Sequence, residues 1–287
     1  EAGLGNRISV RHIATFNQGL AALGTAGKTV MLDRDTSTEG IRLALTSAGS
    51  KVVFGQDPVM LPRACKNDVE IAGIYAAHER DAVAVCRFLR WLDETTSEKV
   101  IGEIEAGEKL LEFRQTNELF QRPSFDTISG AGPNGAIVHY RVTAESERRL
   151  EPGNLFLLDS GGQYLDGTTD ITRTIPIREV DEQKRRHFTL VLKGHSALSR
   201  ARFPTTATGA QLDALARQFL WHEGLDYDHG TGHGVGAYLG VHEGPHRIAP
   251  SSTVAFKPGM IVSNEPGLYI AGSHGIRIEN LEIVIES

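Results

Sequence analysis

Leu158-Asp159-Ser160-Gly161-Gly162-Gln163-Tyr164-Leu165-Asp166-Gly167-Thr168-Thr169-Asp170-Ile171-Thr172-Arg173-Thr174 is the stretch on which the reading of this chain turns. The apolar run Leu155–Leu158 ends in Asp159, a turn rich in glycine and aspartate follows, and Asp170 opens the β-branched run Ile171–Ile175. Apolar run, turn signals and β-branched run in that order specify a β-hairpin. With the turn centred between Tyr164 and Leu165, Asp159 stands directly opposite Asp170, their Cβ atoms about 4.5–5.5 Å apart. Like charges so placed repel, and the desolvated end of a core strand sharpens the repulsion, so a cation is expected between them.

The arrangement repeats downstream. Ile261-Val262-Ser263-Asn264-Glu265 and Arg277-Ile278-Glu279 flank a turn at Ala271-Gly272-Ser273. Centred on Gly272, that turn sets Glu265 opposite Glu279. Turn-flanking acids facing solvent would account for one such pair. Two pairs, together with His233 in a glycine-rich segment, predict a dinuclear metal site. The reading depends on register, because a one-residue slip turns every side chain to the other face.

Composition narrows the function classes. A chain of 287 residues can hold one large domain plus a smaller one. With 40% hydrophobic and 23% charged residues it has an ordinary globular composition. The net charge of −6 leaves no electrostatic footprint for nucleic acid or an anionic membrane. No apolar stretch reaches the ~18–20 residues of a membrane helix, and no signal-peptide pattern opens the chain. Cys65 and Cys86 read as free thiols in a reducing cytoplasm, with Cys86 filling an apolar helix position. The chain enters patterned sequence directly at Glu1, as a fragment or processed product does.

Thr29–Leu32 and Lys51–Phe54 read as short strands on either side of a helix over Thr36–Thr46, capped by Thr36 or Ser37. Asp33 and Asp35 are loop acids in this small α/β unit. Asp57-Pro58 and Leu61-Pro62 break the pattern and place a boundary near Ala64–Asn67, giving domains at 1–65 and 66–287. Beyond an Asn67 or Asp68 cap, Ile71, Ile74, Tyr75, Ala82, Val85, Cys86, Leu89 and Leu92 form the core stripe of a helix over about 68–95. His78, within it, has no patterned metal-binding partner and reads as a packing or surface residue. A second helix is expected over 98–116. Thr127–Tyr140 reads as a tight, exposed loop leading into a short strand, with His139 near its end. Helices follow over Asp181–Phe203 and Thr208–His222, separated by Pro204. Helices and strands thus come in two successive rounds, the mark of a pseudo-duplicated domain.

Residues 229–246 read HGTGHGVGAYLGVHEGPH. The alternating glycines oppose a helix, each costing about 1 kcal/mol there, and allow close approach of backbone to a ligand instead. Gly232-x-Gly234-x-x-Ala237 is a weak match to a dinucleotide loop, since neither a following helix nor a closing acid accompanies it. His229, His233, His242 and His246 are four of the chain's eleven histidines, and their clustering marks a site. Four carboxylates and one imidazole without a thiolate suit manganese, cobalt or iron better than a structural zinc. Two divalent ions and a bridging hydroxide bring the local charge of the four carboxylates close to balance. Paired ions about 3.5–4 Å apart suit amide hydrolysis.

Six blocks carry a resemblance. They are Leu158-Asp159-Ser160-Gly161, Gly167–Thr174, His229–Gly234, Val241-His242-Glu243-Gly244-Pro245, Asn264-Glu265-Pro266-Gly267 and Gly275–Asn280. Together they resemble the signature blocks of the pita-bread metallopeptidases, strongly over residues 67–287 and weakly before that. Within the family the wording is most similar to the Xaa-Pro aminopeptidases (aminopeptidase P) in their longer, three-domain cytosolic form. The resemblance implies that Asp159, Asp170, His233, Glu265 and Glu279 are the metal ligands, Asp170 and Glu279 bridging both ions. It implies that Glu265 takes the proton of the bridging water, and that His242 stabilises the tetrahedral oxyanion. His139 and His229 would line the substrate site, and Arg277 would hold Asp170 or a neighbouring carboxylate by charge-assisted hydrogen bonds. His246 receives no role.

The expectation is therefore an α+β, pita-bread (creatinase/aminopeptidase-like) pseudo-duplicated domain with a small, partial α/β unit before it. Its function would be that of a cytoplasmic dimetal aminopeptidase cleaving the N-terminal Xaa-Pro bond of peptides through a metal-bridging hydroxide. Manganese is the first choice of ion, with cobalt or zinc as alternatives. The partner is a peptide with proline second, not nucleic acid or membrane, and a homodimer is compatible with the resemblance. Prolidase, which shares the ligands, is the alternative. It must meet a free carboxylate beyond proline, and Arg247, a candidate for that contact, reads rather as a surface-loop arginine. A non-catalytic pita-bread interaction module, or a metal-free creatine amidinohydrolase, does not call for the intact ligand set.

Overall fold

The computed structural model describes residues Ile8–Glu286, which divide into two units between Met60 and Leu61. In the first, α1 (Phe16–Thr25) precedes β1 (Thr29–Leu32), and α2 (Glu39–Ser47) crosses over to the parallel strand β2 (Lys51–Phe54). Leu20, Leu32 and Leu45 form its core. Helix α2 starts after Thr38, later than expected. Asp33 accepts the backbone N–H groups of Asp35 and Asp57, each at 2.8 Å, so it is a loop acid. The short α3 (Met60–Ala64) straddles the division. Ala64 is buried with Leu198, Phe256 and Met260, and Cys65 forms a β-bridge to Met260. Apolar burial thus draws residues 61–65 into the larger unit.

The larger unit opens with α4 (Asp68–Glu98) and α5 (Glu103–Gln115). The Asn67 side chain accepts from Val69 and Glu70, and Glu70 reaches back to the Asn67 N–H, a closed capping box. The buried stripe of α4 is Ile74, Ala77, Asp81, Ala84, Val85, Phe88 and Leu92. Tyr75, Ala82 and Cys86 are exposed, contrary to the expected stripe. Asp81 takes a core position because Arg114 meets it from α5 at 2.7 and 2.9 Å. His78, half-buried, turns its Nδ1 to the Ile74 carbonyl at 2.8 Å and serves packing.

Strands β3 (Phe120–Pro123), β4 (Ile128–Ala131), β5 (Leu155–Ser160), β6 (Gly162–Tyr164), β7 (Gly167–Thr168) and β8 (Ile171–Pro176) form two three-stranded sheets, β4-β5-β8 and β3-β6-β7. The hairpin forms with a changed register: Asp159 lies opposite Thr172, not Asp170. The cause is the loop, where Gln163 pairs with Thr168 and Tyr164 with Gly167, closing a turn on Leu165-Asp166. A shift of two positions preserves the face, and both aspartates line one cavity. Residues 128–135 are mostly buried, and the strand comes before the Gly132–Ala136 turn of 3₁₀ helix rather than after it, so this segment is not the exposed loop expected.

The second round begins with α6 (Glu182–Ser199), capped by Asp181, and α7 (Gly209–Trp221). After β9 (Gly232–His233) and β10 (Arg247–Ile248) come β11 (Ile261–Asn264), β12 (Gly267–Ile270), β13 (His274–Arg277) and β14 (Asn280–Ile283). Here the expected register holds: Ile270 pairs with His274 around Gly272, and Asn264 with Asn280. Glu265 and Glu279 fall in the gap between those two ladders. The Glu279 N–H donates to the Thr172 carbonyl at 3.2 Å, tying the second hairpin to the first. A Cβ on Gly275 would lie 1.7 Å from the Gly135 carbonyl oxygen, so the two rounds abut only because that residue is glycine.

Where α6 packs on β13, His187 Nδ1 lies 3.0 Å from His274 Nε2, and Ser273 Oγ lies 2.8 Å from His274 Nδ1. Burial and the neighbouring His187 lower His274 to about 4, and burial lowers His187 as well. Between about pH 6.5 and 4 the unfolded chain binds protons that the folded pair refuses, so stability falls as pH falls through that window. We expect Tm to drop over this range and the drop to be smaller in His274→Asn. An identical pH profile in the variant would show that the pair does not carry it.

Candidate metal centre

Asp159 is the last residue but one of β5, Asp170 precedes β8, His233 ends β9, Glu265 follows β11, and Arg277 and Glu279 lie at and just past the end of β13. All six line one cavity of about 840 Å³, together with His139, His229 and His242. Asp170, His233 and Glu279 each offer a ligand atom within 4.8 Å of the others. His233 Nε2 stands 3.5 Å from Asp170 Oδ2 and 3.4 Å from Glu265 Oε1. Its Nδ1 faces the Gly234 carbonyl at 3.0 Å. A carbonyl only accepts, so Nδ1 carries the proton and the Nε2 lone pair points at carboxylates. Lone pair facing carboxylate oxygens is an arrangement that a cation completes.

The electrostatics agree. Burial, then the charges of Asp159 and Glu265, push Asp170 well above the usual carboxylate range. Burial and Asp170 do the same to Glu279. Burial also raises Glu265, against the pull of His233 and Arg277. Such a cluster resists ionisation until a positive charge arrives. Asp159 Oδ2 accepts from Arg277 Nη2 at 2.6 Å, while its buried Oδ1 has no hydrogen-bond partner among the described residues and is available to a cation. The residues present therefore fit a pair of divalent ions, with Asp159 and Glu265 beside the three clustered ligands.

Several supporting residues carried no signal in the sequence. Thr172 donates to Glu279 Oε2 at 2.7 Å, and Ser263 to Glu265 Oε1 at 3.0 Å. Both alternate with acidic positions, and only period-two counting along the strands could have pointed to them. Tyr269 joins Arg277 Nη1, at 2.6 Å, to His229 Nε2, at 2.9 Å. His229 Nδ1 donates to the Gly230 carbonyl, so Nε2 accepts from the tyrosine, and burial holds this imidazole neutral with a pKa of about 4. His139 is exposed on the wall of the same cavity. The adjacent Tyr140 hydroxyl donates to buried Glu103, which also accepts the N–H groups of Ala131 and Arg148. His242 is not among the clustered ligand atoms; its ring stands edge-on to His233 with centroids 4.2 Å apart. His246 is buried, its Nε2 2.6 Å from the Ile261 carbonyl oxygen.

Four carboxylates and one histidine, drawn from both rounds of this α+β fold, converge on one cavity. The chain belongs to metallopeptidase family M24, which it matches over residues 72–286. It is 50% identical over 248 residues to a protein of Tuber melanosporum described as "Probable Xaa-Pro aminopeptidase P", covering 83% of this chain and 40% of that one. It is 45% identical over 292 residues to a protein of the same description from Laccaria bicolor, covering 98% of this chain and 45% of the other. The chain thus spans less than half the length of these two relatives. Among solved structures it resembles the X-prolyl aminopeptidase of Caenorhabditis elegans, described as a cytosolic enzyme with a di-nuclear active site. That match has a TM-score of 0.86 at 38% identity, over 96% of this chain and 45% of that one. It also resembles the prolidase of Pyrococcus furiosus, with a TM-score of 0.81 at 27% identity, over 98% of this chain and 79% of the other.

Proposed function

We propose that this chain is the catalytic part of a dimetal aminopeptidase that hydrolyses the N-terminal Xaa-Pro bond of peptides. The observation that carries the proposal is the convergence of Asp159, Asp170, His233, Glu265 and Glu279 on one cavity that His242 also lines. Those five residues would hold two divalent ions, manganese first. When bound, the ions supply charge neutralisation and water activation near neutral pH. Glu265, on the Ser263 hydroxyl, accepts the proton of the attacking water. His242 donates a hydrogen bond to the oxygen on which negative charge develops. Arg277 holds Asp159, and Tyr269 passes that order on to His229. His139 and His229 flank the substrate, with Phe125, Ile128 and Val138 as apolar wall on the same cavity. Proline has no N–H for a strand-like grip, so such a wall is what its bond requires.

Names support the aminopeptidase reading over prolidase, and one observation keeps the second reading in play. Arg247 is exposed yet lines the cavity, and its guanidinium donates to Ser251 Oγ at 3.1 Å, placing a positive group where a free carboxylate could meet it. We expect Xaa-Pro-Xaa peptides to be cleaved with higher kcat/KM than Xaa-Pro dipeptides. Matched Arg-Pro and Arg-Pro-Pro substrates decide it, and faster cleavage of the dipeptide makes the activity that of a prolidase. The reducing-compartment reading of the thiols and the cytosolic relative support a cytoplasmic enzyme, and a homodimer is part of the same proposal. Among the described residues no helix is long and apolar enough to cross a membrane.

His242→Ala separates metal binding from turnover. Metal content should stay intact while kcat falls by roughly 10²–10³, the scale of losing one oxyanion donor. Loss of metal from this variant would make His242 a ligand instead.

A further inference from the structure

Lys66 places a charge where water does not reach. Its side chain is 1% exposed, and Nζ lies 2.6 Å from Oε1 of Glu243, itself 6% exposed. The same ammonium donates to the Arg63 carbonyl at 2.7 Å, and Arg63 Nε stands 3.4 Å from Glu243 Oε2. Neither Lys66 nor Glu243 lines the cavity. Removing two charges from water costs several kcal/mol per ion, so a buried pair is weak evidence for stability alone.

Its position suggests what it does. Glu243 directly follows His242, and its N–H donates to the Gly234 carbonyl at 2.7 Å. That same carbonyl accepts the Nδ1 proton of His233. One residue is thus tied by its main chain to the ligand histidine and by its side chain to Lys66. The approach depends on missing side chains: a Cβ on Gly234 would lie 2.0 Å from the Glu243 carbonyl oxygen, and one on Gly236 2.9 Å from Glu243 Oε2. Lys66 is itself held, its N–H donating to the Gly259 carbonyl at 2.9 Å just ahead of the α4 cap. We propose that Lys66 and Glu243 are positioning residues, an ion pair that anchors the segment carrying His242 and keeps its imidazole against His233. The proposal rests on the reading of His242 as oxyanion donor.

The test uses metal-loaded enzyme carrying Lys66→Met or Glu243→Gln, each alone and combined with His242→Ala. Each single variant should keep its metal and its KM and lose kcat on an Xaa-Pro-Xaa peptide by about 10–100-fold, the scale of a misplacement near 1 Å. In the His242→Ala background neither should lower kcat further, because the group through which they act is gone. Equal losses in both backgrounds, or an unchanged kcat, overturn the proposal. Should Lys66→Met fail to fold, Lys66→Met/Glu243→Leu removes the orphaned charge as well and is read in the same way. A crystal structure of the metal-loaded variant gives a readout without turnover. A His242 ring displaced from its 4.2 Å centroid distance supports the proposal, and a ring left in place overturns it. Wild-type enzyme inert on every Xaa-Pro peptide would instead remove the proposed reaction, and the ring position would still decide the role of the pair.

Discussion

Glu279→Ala is expected to lower turnover at least about a thousandfold, since the several kcal/mol that bound ions lend a transition state correspond to that factor or more. Glu279 is buried, receives the Thr172 hydroxyl, and lies in the cluster with Asp170 and His233. On the proposed two-ion reading, losing Glu279 should also reduce the number of ions bound, from two per chain in reconstituted wild type. Metal-free protein should respond in the opposite sense. Glu279 has its pKa raised by burial and by Asp170, so its contribution to stability is present below the unfolded value and lost as pH rises through the folded one. Glu279→Gln, which keeps an acceptor for Thr172, should therefore raise the Tm of metal-free protein near pH 8. Metal analysis and melting curves on the two forms check both halves. Full activity with one tightly held ion would sink the dinuclear reading.

Asp81→Ala should destabilise the fold by about 3–5 kcal/mol, the cost of orphaning a buried partner, or roughly 10 °C in Tm for a domain of this size. Asp81 receives Nε and Nη2 of Arg114 and the Tyr164 hydroxyl at 2.7, 2.9 and 2.7 Å, and all three residues are buried. Burial opposes the charge, but Arg114 and Tyr164 outweigh it and hold the carboxyl below its usual value. The stabilisation is thus present above the unfolded pKa of about 3.9 and lost as pH falls through the folded one. The gap in Tm between wild type and variant should accordingly shrink below about pH 4. Replacing both partners, Asp81→Leu with Arg114→Met, should recover much of the loss, because no charge is then left unpaired. A double variant as unstable as Asp81→Ala would locate the effect in packing.

The acids and the histidine that converge on the cavity were legible from local pattern. Strand side chains alternate with period two, so an acid ending an apolar strand can be assigned a face before any partner is known. That is why Asp159 and Asp170 line one cavity although the turn is centred one residue beyond the expected place, and why the Gly272 turn sets its hairpin's register as expected. Helix starts at Asn67, Asp181 and Thr208 were legible too, since capping is decided within four residues. Only the tertiary structure decided what depends on distant segments. Asp81 is core because Arg114 arrives from the next helix, which no periodicity along α4 could announce. Ile128–Gly135 is buried because Glu103 and Gly275 close on it from elsewhere in the chain. The order of the site comes from contacts over a hundred residues apart, Thr172 to Glu279 and Arg277 to Asp159. Such contacts join groups whose sequence neighbours carry no trace of each other, so they exist only once the two hairpins have packed.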